Sequence, residues 1–505
     1  MDKDSLDRTE GLEIIRRRGD AKREIPAAQD RTGQREREEK PRSRDRRSRR
    51  RRRRGRNKGR IAAVILIALL CAAALAGVFC FAGKRRAEAG REEAGAIRPE
   101  RIPGDNTGTG LGGKASEDHT AAESGEKASG EETGQSGEGA QAEGRSEAEK
   151  KAEEILDSMT LEEKILQLFM VTPEALTGYD EVYAAGEATK AAIEQYPVGG
   201  IVYFSQSLRD EAQTKDMLIR TNQYAKERTG LPMLLAVDEE GGQVARISGR
   251  EGFALDAFPD MSDIGAHGDS EKAYEVGDAI GAYLAELGFN MDFAPVADVL
   301  TNPDNTVVKR RSFGSDAKTV ANMVVRETEG LKKHGISPVL KHFPGHGGTA
   351  EDSHEGAAVI HRTVDELLEN ELIPFYTGIE AGADFVMVGH ISDPEAVGDD
   401  RPAVFSKTLV TEVLRDTLKF DGIIITDAMN MGAITESCSS GDAAVKALEA
   451  GVDMILMPED FKAACQGVEE AVEAGTIGED RIEESVLRIL TLKAEKQLGA
   501  SENQE

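Results

Sequence analysis

Residues 337–355 read SPVLKHFPGHGGTAEDSHE. The apolar run Ser337–Leu340 reads as a short strand ending at Lys341. Beyond it, Pro344, Gly345, Gly347 and Gly348 break both helix and strand. The resulting loop carries Lys341, His342, His346, Glu351, Asp352 and His354, including three of the chain's eight histidines. A solvated surface loop has no need of so many titratable groups among glycines, whereas a site held on a rigid scaffold does. The unit is a short apolar strand that stops abruptly in a polar loop, and its recurrence decides the fold.

Working outward, the same unit is found eight times. Strand candidates are Leu168–Val171, Gly200–Phe204, Met233–Val237, Met291–Val296, Pro338–Leu340, Phe385–Val388, Gly422–Thr426 and Asp453–Met457. Helical stretches lie between them, among them Ala212–Glu227, Ser270–Leu287, Ala317–His334, Val364–Ala381, Lys407–Leu418 and Gly441–Ala450. Thr160 followed by Glu163 marks a capped helix start. Alternating strands and helices imply parallel strands joined by crossover helices. Eight such units predict an α/β fold, a (β/α)8 TIM-type barrel with inserted loops, closed by a last helix over Asp480–Gln497. An open doubly wound sheet is the alternative.

In a barrel the chemistry sits at the C-terminal ends of the strands. The third strand ends in Asp238-Glu-Glu-Gly-Gly242, the fourth in Ala297-Asp298, the fifth in Lys341-His342, the sixth in Gly389-His390 and the seventh in Asp427. Asp298 reads as a turn former or helix cap. Asp427 follows Ile423-Ile-Ile-Thr426 and precedes Ala-Met-Asn-Met, so its carboxylate needs a polar pocket to face.

The net charge of −28 conceals two opposed halves. Residues 1–60 hold 24 Lys/Arg against 12 Asp/Glu and the rest 40 against 80, a head of +12 on a body of −40. The head reads as a disordered basic cytoplasmic tail. Ile61–Gly83 is an uncharged run of 23 residues, long enough as a helix to cross a bilayer. The arginines before it predict a single-pass signal anchor in the cell membrane, N-terminus cytoplasmic and body extracellular. They read as a topology signal, and no nucleic acid is expected as partner. Residues 84–148 form an acidic linker rich in Gly, Ser and Glu, and the body spans 149–500. Of four cysteines, Cys438 and Cys465 fall in the body. They form no disulfide framework, although one bridge between them is open.

The segment 341–354, KHFPGHGGTAEDSH, resembles the signature loop of bacterial β-N-acetylglucosaminidases of glycoside hydrolase family 3. Asp238-Glu-Glu-Gly-Gly-Gln-Val-Ala-Arg246, Phe293-Ala-Pro-Val-Ala-Asp298, Arg311-Ser-Phe313 and Gly422-Ile-Ile-Ile-Thr-Asp427 match further motifs of that family in the same order. The resemblance runs from about Ser158 to Leu492. Glu239 stands where the family commonly has Gln. The resemblance implies a (β/α)8 barrel that hydrolyses terminal β-linked N-acetylglucosamine with retention, acting from the chain end. It implies Asp427 as nucleophile and His354 as acid/base oriented by Asp352. Asp238, Arg246, Arg311, Lys341 and His342 would hold the sugar. A retaining hydrolase needs such a nucleophile and a group that first donates and then accepts a proton. A His beside an Asp meets the second need, since its pKa lies near neutral. No cofactor is implied. The expected substrate is an amino-sugar glycan or muropeptide from peptidoglycan outside the membrane, and the catalytic domain is expected to be monomeric.

Three other readings stay open. His342, His346, Asp352 and His354 could ligate zinc, although their spacing matches no common zinc motif. A phosphorylase on the same fold would use the same residues, because a His acid/base does not repel phosphate. A membrane-tethered sugar-binding receptor would keep the pocket without turnover.

Overall fold

The computed structural model describes residues 145–350 and 358–502. Its eight principal strands are β1 (Phe169–Val171), β2 (Gly200–Tyr203), β3 (Leu234–Val237), β4 (Met291–Asp292), β5 (Ser337–Phe343), β6 (Phe385–Val388), β7 (Ile423–Thr426) and β8 (Ile455–Leu456). All pair in parallel, in the order β8-β1-β2-β3-β4-β5-β6-β7. The remaining seam is joined by a parallel bridge between Ile425 and Met454. Across it, Asp453 N and Met454 N donate to Ile424 O at 2.8 and 3.0 Å, and Thr426 N donates to Met454 O at 3.0 Å. Contact of β8 with both β1 and β7 makes the sheet a barrel and removes the open doubly wound alternative. The principal strands are buried almost throughout, which is why they read as short unbroken apolar runs rather than alternating ones.

The helices lie where their periodicity put them, with two departures. Val364–Ala381 is two helices, Val364–Glu369 and Ile373–Glu380. Asn370 (φ −142, ψ −74) leaves the helical region, and Pro374 starts the second helix. Lys407–Leu418 winds as a π-helix over Thr408–Arg415. Thr160 and Glu163 form the expected capping box at the start of Leu161–Gln167. Cys438 and Cys465 are both free thiols.

The first described helix, Glu147–Ser158, is capped by Ser146 and packs against the last, Glu479–Glu502. Arg145, Glu149 and Glu153 line one cavity with Gly382, Asp384, Asp421 and Ile423, residues at the N-terminal ends of β6 and β7. The chain therefore enters the barrel at its floor. Ile61–Gly83 lies outside the described residues. Among the described residues no helix is long and apolar enough to cross a membrane.

A buried carboxylate pins the seam at the same floor. Asp453 is fully buried. Its Oδ2 accepts from Ile424 N at 2.9 Å and pairs with Arg415. Its Oδ1 accepts from Ser485 Oγ at 2.6 Å and Arg488 at 3.3 Å, with Arg481 at 3.7 Å. One side chain thus ties β7, the π-helix and the last helix together. Asp453→Ala would leave three arginines around an uncompensated site. It is expected to cost about 3–5 kcal/mol, read as a lower urea midpoint than wild type. A loss below about 1 kcal/mol would mean that this cluster does not hold the barrel shut.

Candidate active site

Five strand ends converge at the opposite face. In β5 the ladder to β6 pairs Leu340 with Val386 and next Phe343 with Val388, so β5 carries one extra residue there. Neighbouring strand residues ordinarily point to opposite faces. The bulge falls on Lys341 and His342 and lets both side chains serve the mouth. They are 2% and 6% exposed.

Lys341 Nζ lies 2.7 Å from Asp238 Oδ1 and 2.5 Å from Glu240 Oε1. Arg311, on the long segment after β4, grips Glu240 with two bonds, Nε to Oε2 at 2.8 Å and Nη2 to Oε1 at 2.7 Å. Arg246 Nη2 reaches Asp238 Oδ2 at 3.4 Å. Burial disfavours the Glu240 charge, but Arg311 and Lys341 outweigh it and hold the carboxyl far below the usual range. Burial likewise works against the cations, and the carboxylates outweigh it, leaving Lys341 and Arg311 above their ordinary values.

Asp298 does more than cap a turn, contrary to its reading from sequence. It is fully buried, and its Oδ2 accepts from His342 Nδ1 at 2.8 Å. Its Oδ1 accepts from His346 N at 2.6 Å and His342 N at 3.2 Å. With Nδ1 held by Asp298, the other ring nitrogen of His342, Nε2, lies 3.4 Å from Arg311 Nη2. His390 follows β6, and its Nε2 donates to Ala428 O at 2.9 Å, beside the end of β7.

Asp427 is half-buried at the end of β7. Its N donates to Val388 O at 2.9 Å, and its Oδ1 accepts from Ala428 N at 2.8 Å. Burial pushes its carboxyl up. His342, His390, the Ala428 N–H and Lys341 together outweigh that and hold it below the ordinary aspartate range. The site therefore offers an ionised carboxylate on one wall and a preassembled set of donors and acceptors on the other.

Asp238, Arg246, Arg311, Lys341, His342 and Asp427 all line this face. Asp352 and His354 lie outside the described residues. The chain leaves toward them from Thr349, whose Oγ1 lies 2.8 Å from His346 Nδ1 and whose carbonyl accepts from Asn305 Nδ2 at 3.0 Å. It returns at Ala358–Val359, paired with Ile391–Ser392 just beyond β6. The zinc set suggested by sequence includes Asp352 and His354. Among the described residues no three His, Cys, Asp or Glu gather to hold a metal.

Sequence reasoning gave no role to Glu239, Glu240 or His390, and gave Asp298 only that of a turn former or helix cap. Two consecutive acids at the end of a fully buried strand were the legible signal for the first pair.

Behind the clamp lie two more carboxyls. Asp292 Oδ1 accepts from Glu239 N at 2.9 Å, while Asp292 Oδ2 and Glu327 Oε2 are buried without a partner among the described residues. Burial, with the Asp292 neighbour Glu239, raises Asp292 well above its usual range. Burial and the nearby Glu240 charge push Glu327 from 4.5 up to about 8. The folded state thus keeps the Glu327 proton between pH 4.5 and 8, where the unfolded chain has lost it. Stability contributed by this group falls as pH rises through that window. Glu327→Gln should therefore gain on wild type in urea unfolding between about pH 5 and pH 8, by at least about 1 kcal/mol. A gap that stays constant with pH would mean that Glu327 is ionised in the fold.

Comparison with known proteins follows this geometry. The family model described as "Glycosyl hydrolase family 3 N terminal domain" matches residues 160–492. Beta-hexosaminidase A of Pseudoalteromonas piscicida is 32% identical over 326 residues, 60% of this chain and 54% of that protein. Beta-hexosaminidase LpqI of Mycobacterium tuberculosis is 33% identical over 314 residues, 60% of this chain and 78% of that protein. The chain thus spans about half the length of the first relative and about three quarters of the second. A solved family 3 β-N-acetylglucosaminidase from Paenibacillus sp. str. FPU-7 superposes with a TM-score of 0.63 at 36% identity, covering 68% of this chain and 63% of that one.

Proposed function

The chain belongs to glycosyl hydrolase family 3, and on that premise we propose that its barrel removes terminal β-linked N-acetylglucosamine with retention of configuration. The observation that carries this reading is the placement of Asp427 at the end of β7, at the same mouth as the His342–Lys341–Glu240–Arg311 network. The names of the similar proteins, β-hexosaminidase and β-N-acetylglucosaminidase, support the substrate class.

In this reading Asp238 accepts hydrogen bonds from sugar hydroxyls while Lys341, Arg246 and Arg311 donate to sugar oxygens. His342, its ring oriented by Asp298, meets one more hydroxyl through Nε2. Asp427 attacks the anomeric carbon, the bond to the leaving oxygen breaks, and His354 gives that oxygen its proton. Water then attacks the glycosyl-Asp427 ester, His354 takes the proton of the water, and Asp427 is released as a carboxylate. Asp352 orients His354 through both steps.

A 5-fluoro N-acetylglucosaminyl fluoride should add one sugar to the full-length protein, on the peptide containing Asp427. His354→Ala should release a burst of phenol from an activated aryl glycoside and then turn over about 10²–10⁴-fold more slowly on a natural disaccharide. The product in phosphate buffer should be the free sugar. Labelling at Asp238 or Glu240 would move the nucleophile, and a sugar 1-phosphate would make the enzyme a phosphorylase.

The natural substrate we propose is an N-acetylglucosamine-ended fragment of peptidoglycan met outside the cell membrane, with Ile61–Gly83 as the anchor. The motive is the charge split of the chain around an uncharged 23-residue run. Protease added to intact cells should shed an active body by cutting between residues 84 and 148. Protection of the body until the cells are lysed would reverse the orientation.

A further inference from the structure

Glu239 is fully buried beside Glu240, yet among the described residues it forms no ion pair. Its carboxylate is held by four donors instead. Oε2 accepts from Arg246 N at 2.6 Å and Ile247 N at 3.0 Å. Oε1 accepts from Ser248 N at 2.8 Å and from the Tyr283 hydroxyl at 2.7 Å. Three successive backbone N–H groups turned on one anion form a nest, the arrangement that elsewhere binds phosphate. Here the anion is supplied by the chain itself, seven residues upstream. The loop between is turned by Gly241 and Gly242, at φ +80 and +54, and by the Gly241–Val244 bridge. At Gly242 an added Cβ would come within 2.7 Å of the Asp260 backbone, so the loop has one close-packed path.

The nest fixes the backbone from which Arg246 projects. The guanidinium then lies over the Phe204 ring at 5.6 Å and touches Asp238 at 3.4 Å. Its Nε is buried with no partner among the described residues, while the rest of the guanidinium is partly exposed. We propose that Glu239 is a positioning residue for substrate. Its carboxylate, anchored by Tyr283 on the helix Ser270–Leu287, holds the Arg246 loop in place so that the exposed part of the Arg246 guanidinium meets a sugar oxygen. This rests on Arg246 as a sugar-binding residue in the proposed function. Glutamine at 239 keeps one acceptor oxygen but turns an NH2 toward N–H donors.

The test is a double-mutant cycle on full-length protein with an aryl N-acetylglucosaminide, comparing wild type, Glu239→Gln, Arg246→Ala and the double variant. Glu239→Gln should raise KM about ten-fold, the size of a lost hydrogen bond to a charged group, with kcat within about three-fold. In the Arg246→Ala background the same change should add less than about two-fold, because the side chain it serves is gone. Tyr283→Phe removes one donor of four and should raise KM less than Glu239→Gln. Thermal midpoints of all variants accompany the kinetics. Effects on KM that multiply independently, or a fall in kcat that follows the thermal midpoint, would make Glu239 structural only and overturn the inference. No turnover by wild type would overturn the hydrolase reading and this inference with it.

Discussion

The mouth of the barrel is built on one buried carboxylate shared by two buried cations. Glu240 stands between Lys341 and Arg311, and without it the two like charges would face one another with Asp298 and Asp238 left to balance them. Removing ions from water is costly, and the cost is offset only where geometry and hydrogen bonding are complete. Here the bidentate Arg311 pair and the doubly held Lys341 meet that condition. What results is rigidity. A sugar offers neutral hydroxyls, which are told apart by the direction of hydrogen bonds, and ions already locked to one another give fixed directions.

The nucleophile candidate depends on the same arrangement. Asp427 lies at the end of an apolar strand, where burial alone would favour its protonated form. His342, His390 and Lys341 reverse that preference, and two of these come from the bulge in β5. A one-residue slip in β5 would send Lys341 or His342 out of the mouth. Register and electrostatics are thus one constraint here.

The barrel was legible because its strands are buried on both faces and read as apolar runs, those of the third to seventh strands running into polar residues. The site side chains were legible wherever they closed such a run, as with Asp238, Lys341, His342 and Asp427. Asp298 was legible as a position but not as a role. Its meaning is its contact with His342 across β4 and β5, and spacing along the chain does not encode that. Glu239 and Glu327 fail for a related reason. One is explained by backbone N–H groups and the other by a buried oxygen without a partner among the described residues, and neither leaves a mark on residue pattern. The break at Asn370 and the π-turn over Thr408–Arg415 interrupt segments whose apolar pattern continues through them.

The point of entry of the chain has a mechanical consequence. Arg145 lies against the N-terminal ends of β6 and β7, and Asp427 and His390 follow the C-terminal ends of the same two strands. Under the anchoring proposed above, the attachment would be made at the barrel floor. A pull on that attachment is taken up by the first and last helices and the Asp453 arginine cluster, not by the loops that form the mouth. In that proposed arrangement the body is held at one end and its mouth faces the other way.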